Sequence, residues 1–205
     1  MIALDRVLEG LESRVNALSR EGQVALFAAC CRALLPEFQS WSAHRGEATG
    51  PLLDAALQAA EEFAVSGREP SQAQQLLQAL EEDTPPGESP DMVPSTFAQD
   101  CWICADVCIR VIVDSSYNAG SAIEYALEPM MTMATEHLFG VSQIGSGERE
   151  EAQCALIMSH PPVVAAIDFC RWATDYLSRA PRPIADDLAL VRSRAIVLDP
   201  RGASG

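Results

Sequence analysis

Three of the chain's seven cysteines stand in one octapeptide, CWICADVC, at Cys101, Cys104 and Cys108. Thiols at this spacing suit two chemistries. A redox pair needs its thiolate at an exposed helix start that follows a strand. A zinc or iron–sulfur centre needs a further ligand from a second motif. No strand pattern precedes the octapeptide, and Cys154 and Cys170 stand alone on other segments. Asp100 and Asp106 would raise neighbouring thiol pKa values, not lower them. The Cys-x2-Cys-x3-Cys order also runs opposite to that of the radical enzymes that use S-adenosylmethionine. On a helical wheel, at about 100° per residue, the three cysteines share the apolar side with Ala105, Val111 and Ile112. Gln99, Asp106, Arg110 and Asp114 fall together on the other side. The expectation is buried free thiols that pack as small apolar residues, with no metal and no cofactor.

Other catalytic kits are missing. All 14 basic residues are Arg, so there is no P-loop lysine and no lysine for Schiff-base or pyridoxal-phosphate chemistry. The histidines, His44, His137 and His160, follow Trp41, Ala134 and Ile157 by three, which excludes the Glu-x-x-His pattern of carboxylate-bridged metal pairs. GVSQI puts Ile144 where a nucleophile elbow needs its second Gly. GSGEREE resembles a glycine loop entering a helix, but Glu148, Glu150 and Glu151 would repel a phosphate there. Asp168, Arg171, Asp175 and Arg179 read as a solvated helix face. No catalytic residue is assigned, and the chain is expected not to be an enzyme.

The charge is the informative remainder. The formal net charge is −15. Such a field disfavours nucleic acid and anionic membranes and attracts basic partners. Nine acids and one base, Arg68, lie between Glu61 and Asp100. Glu61, Glu62, Glu81, Glu82, Asp83, Glu88 and Asp91 are the candidate partner-binding residues. The function expected is a non-enzymatic acidic binding protein, in its sharpest form an immunity protein that inhibits a basic toxin domain. The alternatives are a helical scaffold or homo-oligomer, or an enzyme whose groups meet only on folding. For the acids themselves, a solubilising coat is the plainer reading.

The elements that carry these residues are helical nearly throughout, and no alternating strand pattern occurs. Leu4, Leu8, Leu11, Val15 and Leu18 form a short heptad seam, suited to packing inside a bundle or, less simply, to a homodimer. Ser19 caps a helix from about residue 21 to 35 that Pro36 ends, and a short helix with Phe38 and Trp41 follows. Thr49 and Pro51 open a helix to about residue 65, and Ser71 opens one to about residue 83. Four prolines make residues 84–95 a loop. Ser95 caps the cysteine helix, which runs to about Asp114. Further helices are expected over 121–138, kinked by Pro129, over 148–159, over 163–179 after the His160-Pro161-Pro162 break, and from about Ile184. His160 is expected to meet the last carbonyls of the helix before it. The fold class expected is all-α, a single-domain bundle of about eight or nine helices over 1–198, with a flexible tail at 199–205. The longest apolar run, residues 24–31, is far short of the roughly 20 residues of a membrane span. No signal peptide is recognised at the N-terminus. The expected location is therefore cytoplasmic.

The segment LFAACCRALLPEFQSW resembles the YjaG-like family, small bacterial helical proteins classed as a domain of unknown function. The likeness runs through Cys31, Leu34, Leu35, Pro36, Phe38 and Trp41. Arg32-Ala33 replace the family's Glu-Arg pair. Asp100-Cys101, in the helix after the proline-rich loop, is a looser match. The resemblance implies an all-helical cytoplasmic bacterial protein and carries over no catalytic residues.

Overall fold

A helix whose whole circumference is apolar must lie inside the molecule. Residues 24–31 are such a run, and in the computed structural model every one of them is buried. The structure describes residues 2–45, 50–84, 92–140 and 148–199. Among these are helices α1 (Ile2–Asn16), α2 (Arg20–Arg45), α3 (Gly50–Ser66), α4 (Ala73–Glu82), α5 (Met92–Val113), α6 (Ile123–Phe139), α7 (Glu148–Ser159), α8 (Pro161–Leu177) and α9 (Ala185–Arg194), with a 3-10 turn at Ala119–Ala122 between α5 and α6 and another at Ala195–Leu198 after α9. No strand occurs among the described residues, and the fold is a single all-α domain.

α2 is the axis. It packs along α5 and is flanked by α3, α9 and the last 3-10 turn. Pro36 does not end it. The helix continues to Arg45 because Phe38 and Trp41, one turn beyond, are buried. Phe38 stacks on Trp102 of α5, with ring centroids 5.8 Å apart. Burial of two aromatic side chains outweighs the backbone hydrogen bond that an interior proline forfeits. Ser19 does cap α2, since its Oγ accepts the Gly22 N–H at 3.1 Å. α5 begins at Met92, three residues before the expected cap at Ser95, so residues 92–95 are helical. Pro94 is tolerated there because first-turn N–H groups have no partner inside the helix.

The heptad seam is used within the chain, with Leu11, Val15 and Leu18 buried and α1 packed against α6, α7, α8 and the 3-10 turn at Ala119–Ala122. Helix ends are closed by side chains from afar. Arg20 donates to the Val111 and Ile112 carbonyls at the end of α5, at 2.8 and 2.5 Å. Gln23 Nε2 donates to the Val15 carbonyl at 3.2 Å. Trp102 Nε1 donates to the Leu80 carbonyl of α4 at 3.0 Å. The Val111 and Ile112 carbonyls lie in the last turn of α5, where no further helical N–H follows to bond them. His160 breaks α7 from α8 as expected. Its N–H donates to the Ile157 carbonyl at 3.0 Å, and the two helices meet at 72°.

Candidate functional site

The acidic residues come from two adjacent helices. Glu61 and Glu62 lie on α3, Glu81 and Glu82 end α4, and Asp83 follows as its C-cap. Glu88 and Asp91 fall outside the described residues. The five described acids do not form one free surface. Glu61 is only 29% exposed and is held by Arg32, whose Nε and Nη2 reach its two oxygens at 2.9 and 3.2 Å. That paired carboxylate holds the Arg32 guanidinium above its ordinary pKa. Asp54 stands 3.7 Å from Arg32 on one side, and Arg192 of α9 stands 3.9 Å from Glu61 on the other. Glu81 pairs with Arg110 of α5 at 2.7 Å, and Arg110 also holds Asp106 at 2.5 Å. Glu61 and Glu81 thus serve as struts between helices. Glu62, Glu82 and Asp83 are exposed and make no ion pair among the described residues. The Gln78 amide donates to Glu82 at 2.8 Å.

The cysteine helix places its thiols as the wheel requires. Cys101, Cys104 and Cys108 are fully buried, with Cys30 and Cys31 of α2 and Cys170 of α8 in the same core. Burial drives the Cys30, Cys31, Cys104 and Cys108 thiols far above their ordinary range and pushes Cys170 up to about 12. Asp100 and Asp106 add to the rise at Cys104 and Cys108. Such thiols are poor nucleophiles and poor ligands. No cluster of three or more His, Cys, Asp or Glu side chains suited to a metal ion occurs among the described residues.

Two features escaped the sequence reading. Asp100 is 3% exposed, and its Oδ2 has no hydrogen-bond partner. Burial and the facing Glu128 carboxylate raise its pKa to about 8. The signal was present, because Asp100 precedes Cys104 by one helical turn and so shares the buried face. The second feature is a half-open cleft of about 240 Å³ between α2, α3 and α9. Ala25, Ala28, Ala29, Val65 and Leu188 form its walls, and Glu61 and Arg192 supply its polar groups. His160 Nδ1 is buried without a partner, and its ring centroid lies 5.3 Å from that of His137. On α8, Asp168 pairs with Arg171 at 3.5 Å, while Asp175 pairs with Arg14 of α1. Residues 141–147, which include most of GVSQI and the glycines of GSG, are outside the described residues.

No protein-family model matches the sequence, and neither does any curated protein. Among solved structures, the chain is similar to a DUF416 family protein from Shewanella baltica OS155, with a TM-score of 0.69 and 16% identity over 90% of this chain and 92% of the other. At that identity the likeness is one of fold: a bacterial helical protein shares this arrangement of helices nearly end to end.

Proposed function

We propose that this chain acts by binding and not by catalysis, and that it engages a basic protein partner through the exposed acids of α3 and α4. The sharpest form of this reading is an immunity protein that occupies a basic toxin domain. Kinship with the YjaG-like bacterial proteins and a cytoplasmic location belong to the same reading. The observation that carries it is the set Glu62, Glu82 and Asp83, exposed and without ion pairs among the described residues, in a chain of net charge −15. Charges already spent on an internal arginine cannot steer a partner, but these can. Among the described residues no single helix is long and apolar enough to cross a membrane.

The test is kinetic. The partner is recovered by cross-linking in the source cell and purified, and association is followed at two salt concentrations. Reversal of Glu62, Glu82 and Asp83 to Arg slows association at low salt and leaves the helical circular-dichroism signal intact. Exposed charges are screened beyond about 10 Å at 0.1 M salt, so the difference shrinks as salt rises. An unchanged association rate in the folded variant rejects this surface.

A further inference from the structure

The cleft under α9 has the chemistry of a small-molecule site that is separate from the acidic surface. Its walls are apolar and of short side chains, with Ala25, Ala28 and Ala29 on α2, Val65 on α3 and Leu188 on α9. Its polar groups are one carboxylate and one guanidinium, Glu61 and Arg192, which stand 3.9 Å apart. That distance is at the outer limit of an ion pair, and the Arg192 side chain is 55% exposed. Among the described residues Arg192 has no other ion pair, so its donors are open to a ligand in the cleft. Glu61 is held by Arg32, yet a carboxylate offers about four acceptor sites and Arg32 fills two.

We propose that this cleft binds a free aliphatic α-amino acid. The ammonium group donates to Glu61, the carboxylate accepts from Arg192, and the branched side chain lies against the alanines and Val65. Size sets an upper bound on this class: at about 240 Å³ the cleft lies just below the usual range of small-molecule sites and suits a ligand no larger than a single amino acid. Charge agrees as well. The ion-pair row Asp54, Arg32, Glu61 and Arg192 sums to zero, which favours a zwitterion over a lone acid or a lone amine. Apolar walls with a few converging polar groups are the usual form of such sites.

Isothermal titration and amide chemical-shift mapping of the full chain with L-leucine test this. The expected result is saturable binding that shifts Ala28, Val65 and Leu188. 4-Methylpentanoate lacks the ammonium and 3-methylbutylamine lacks the carboxylate, and each should bind at least about tenfold more weakly, the usual cost of one charge-assisted bond. Arg192→Gln should weaken leucine by a similar factor. Ala189→Leu fills the cleft from its exposed side and should abolish binding without lowering the melting temperature, and Ala185→Leu is the second filling variant should the first fail to fold. Absence of leucine binding at millimolar concentration overturns the proposal. So does equal binding of either half-ligand, or binding undisturbed by a folded filling variant. The charge reversals at Glu62, Glu82 and Asp83 leave leucine binding unchanged, so this proposal and the partner-docking reading fail separately.

Discussion

Cys31 and Cys101 face each other where α2 crosses α5, with their sulfurs 3.5 Å apart. Each thiol also points at the other's carbonyl, Cys31 Sγ at 3.2 Å from the Cys101 oxygen and Cys101 Sγ at 3.5 Å from the Cys31 oxygen. Small apolar side chains let the two backbones approach, and the weak S–H donors find acceptors there. Six of the seven thiols are buried, and Cys154 alone is partly exposed. In a brief native-state treatment with iodoacetamide followed by mass spectrometry, Cys154 should be labelled well before the other six. Early labelling of Cys101, Cys104 or Cys108 would contradict the structural role. Cys108→Ser should destabilise by about 1–3 kcal/mol, because it buries a hydroxyl.

The helical content and the buried thiol face were legible because both rest on local periodicity. Apolar positions recur every three or four residues from Leu4 onward, and the 100° step alone puts Cys101, Cys104 and Cys108 on one side. What escaped depends on distant residues. Pro36 reads as a stop until Phe38 is seen stacked on Trp102. Glu61 and Glu81 read as surface acids until Arg32 and Arg110, each 29 residues away, are found to hold them. Charge counting registers how many acids lie in a segment, but not which of them an arginine has already taken. The cleft is harder still, since its walls come from three helices and its polar pair joins α3 to α9.

Gly120 sits where α1 presses on the turn before α6. A Cβ built there would lie 2.6 Å from the Glu12 carbonyl oxygen and 2.5 Å from Asn16 Nδ2. The Gly120 N–H also donates to Asn16 Oδ1 at 2.9 Å. Backbone cannot retreat as a flexible side chain can, so Gly120→Ala should cost about 1–3 kcal/mol through overpacking. Urea unfolding measures this, with the expected change in midpoint and none in slope. A variant as stable as the parent would mean that α1 moves freely at this contact.

The ion pairs should differ in strength according to burial. Arg32 and Glu61 are 26% and 29% exposed and are joined by two parallel bonds. Arg14 and Asp175, which tie α1 to α8, are 45% and 62% exposed. Double-mutant cycles to Ala should give a coupling of about 1–2 kcal/mol for the first pair. The second should give about 0–0.5 kcal/mol, because solvent screens it and two long side chains lose freedom. Equal couplings would show that burial does not set the strength of these struts.

Asp100 should make stability depend on pH in the direction opposite to that of most carboxylates. Its folded pKa is raised to about 8 by burial, with Glu128 of α6 adding to the rise. The Glu128 pKa is itself raised, by burial and by Glu124. An unfolded aspartate titrates near 3.9. Between those values the native chain holds a proton that the unfolded chain has lost. The stability that protonated Asp100 contributes is therefore complete below about pH 4, declines as pH rises, and is gone above about pH 8. Ordinary surface acids do not offset this, since the difference between parent and variant isolates one site. Asp100→Asn keeps the shape and removes the titration. Its melting temperature should match the parent's near pH 4 to within a degree or two and exceed it clearly at pH 8, by an amount on the order of a few kcal/mol in stability. Thermal melts of both chains across that range decide the matter: a gap between them that does not grow with pH would mean that Asp100 reaches solvent and ionises in the folded protein.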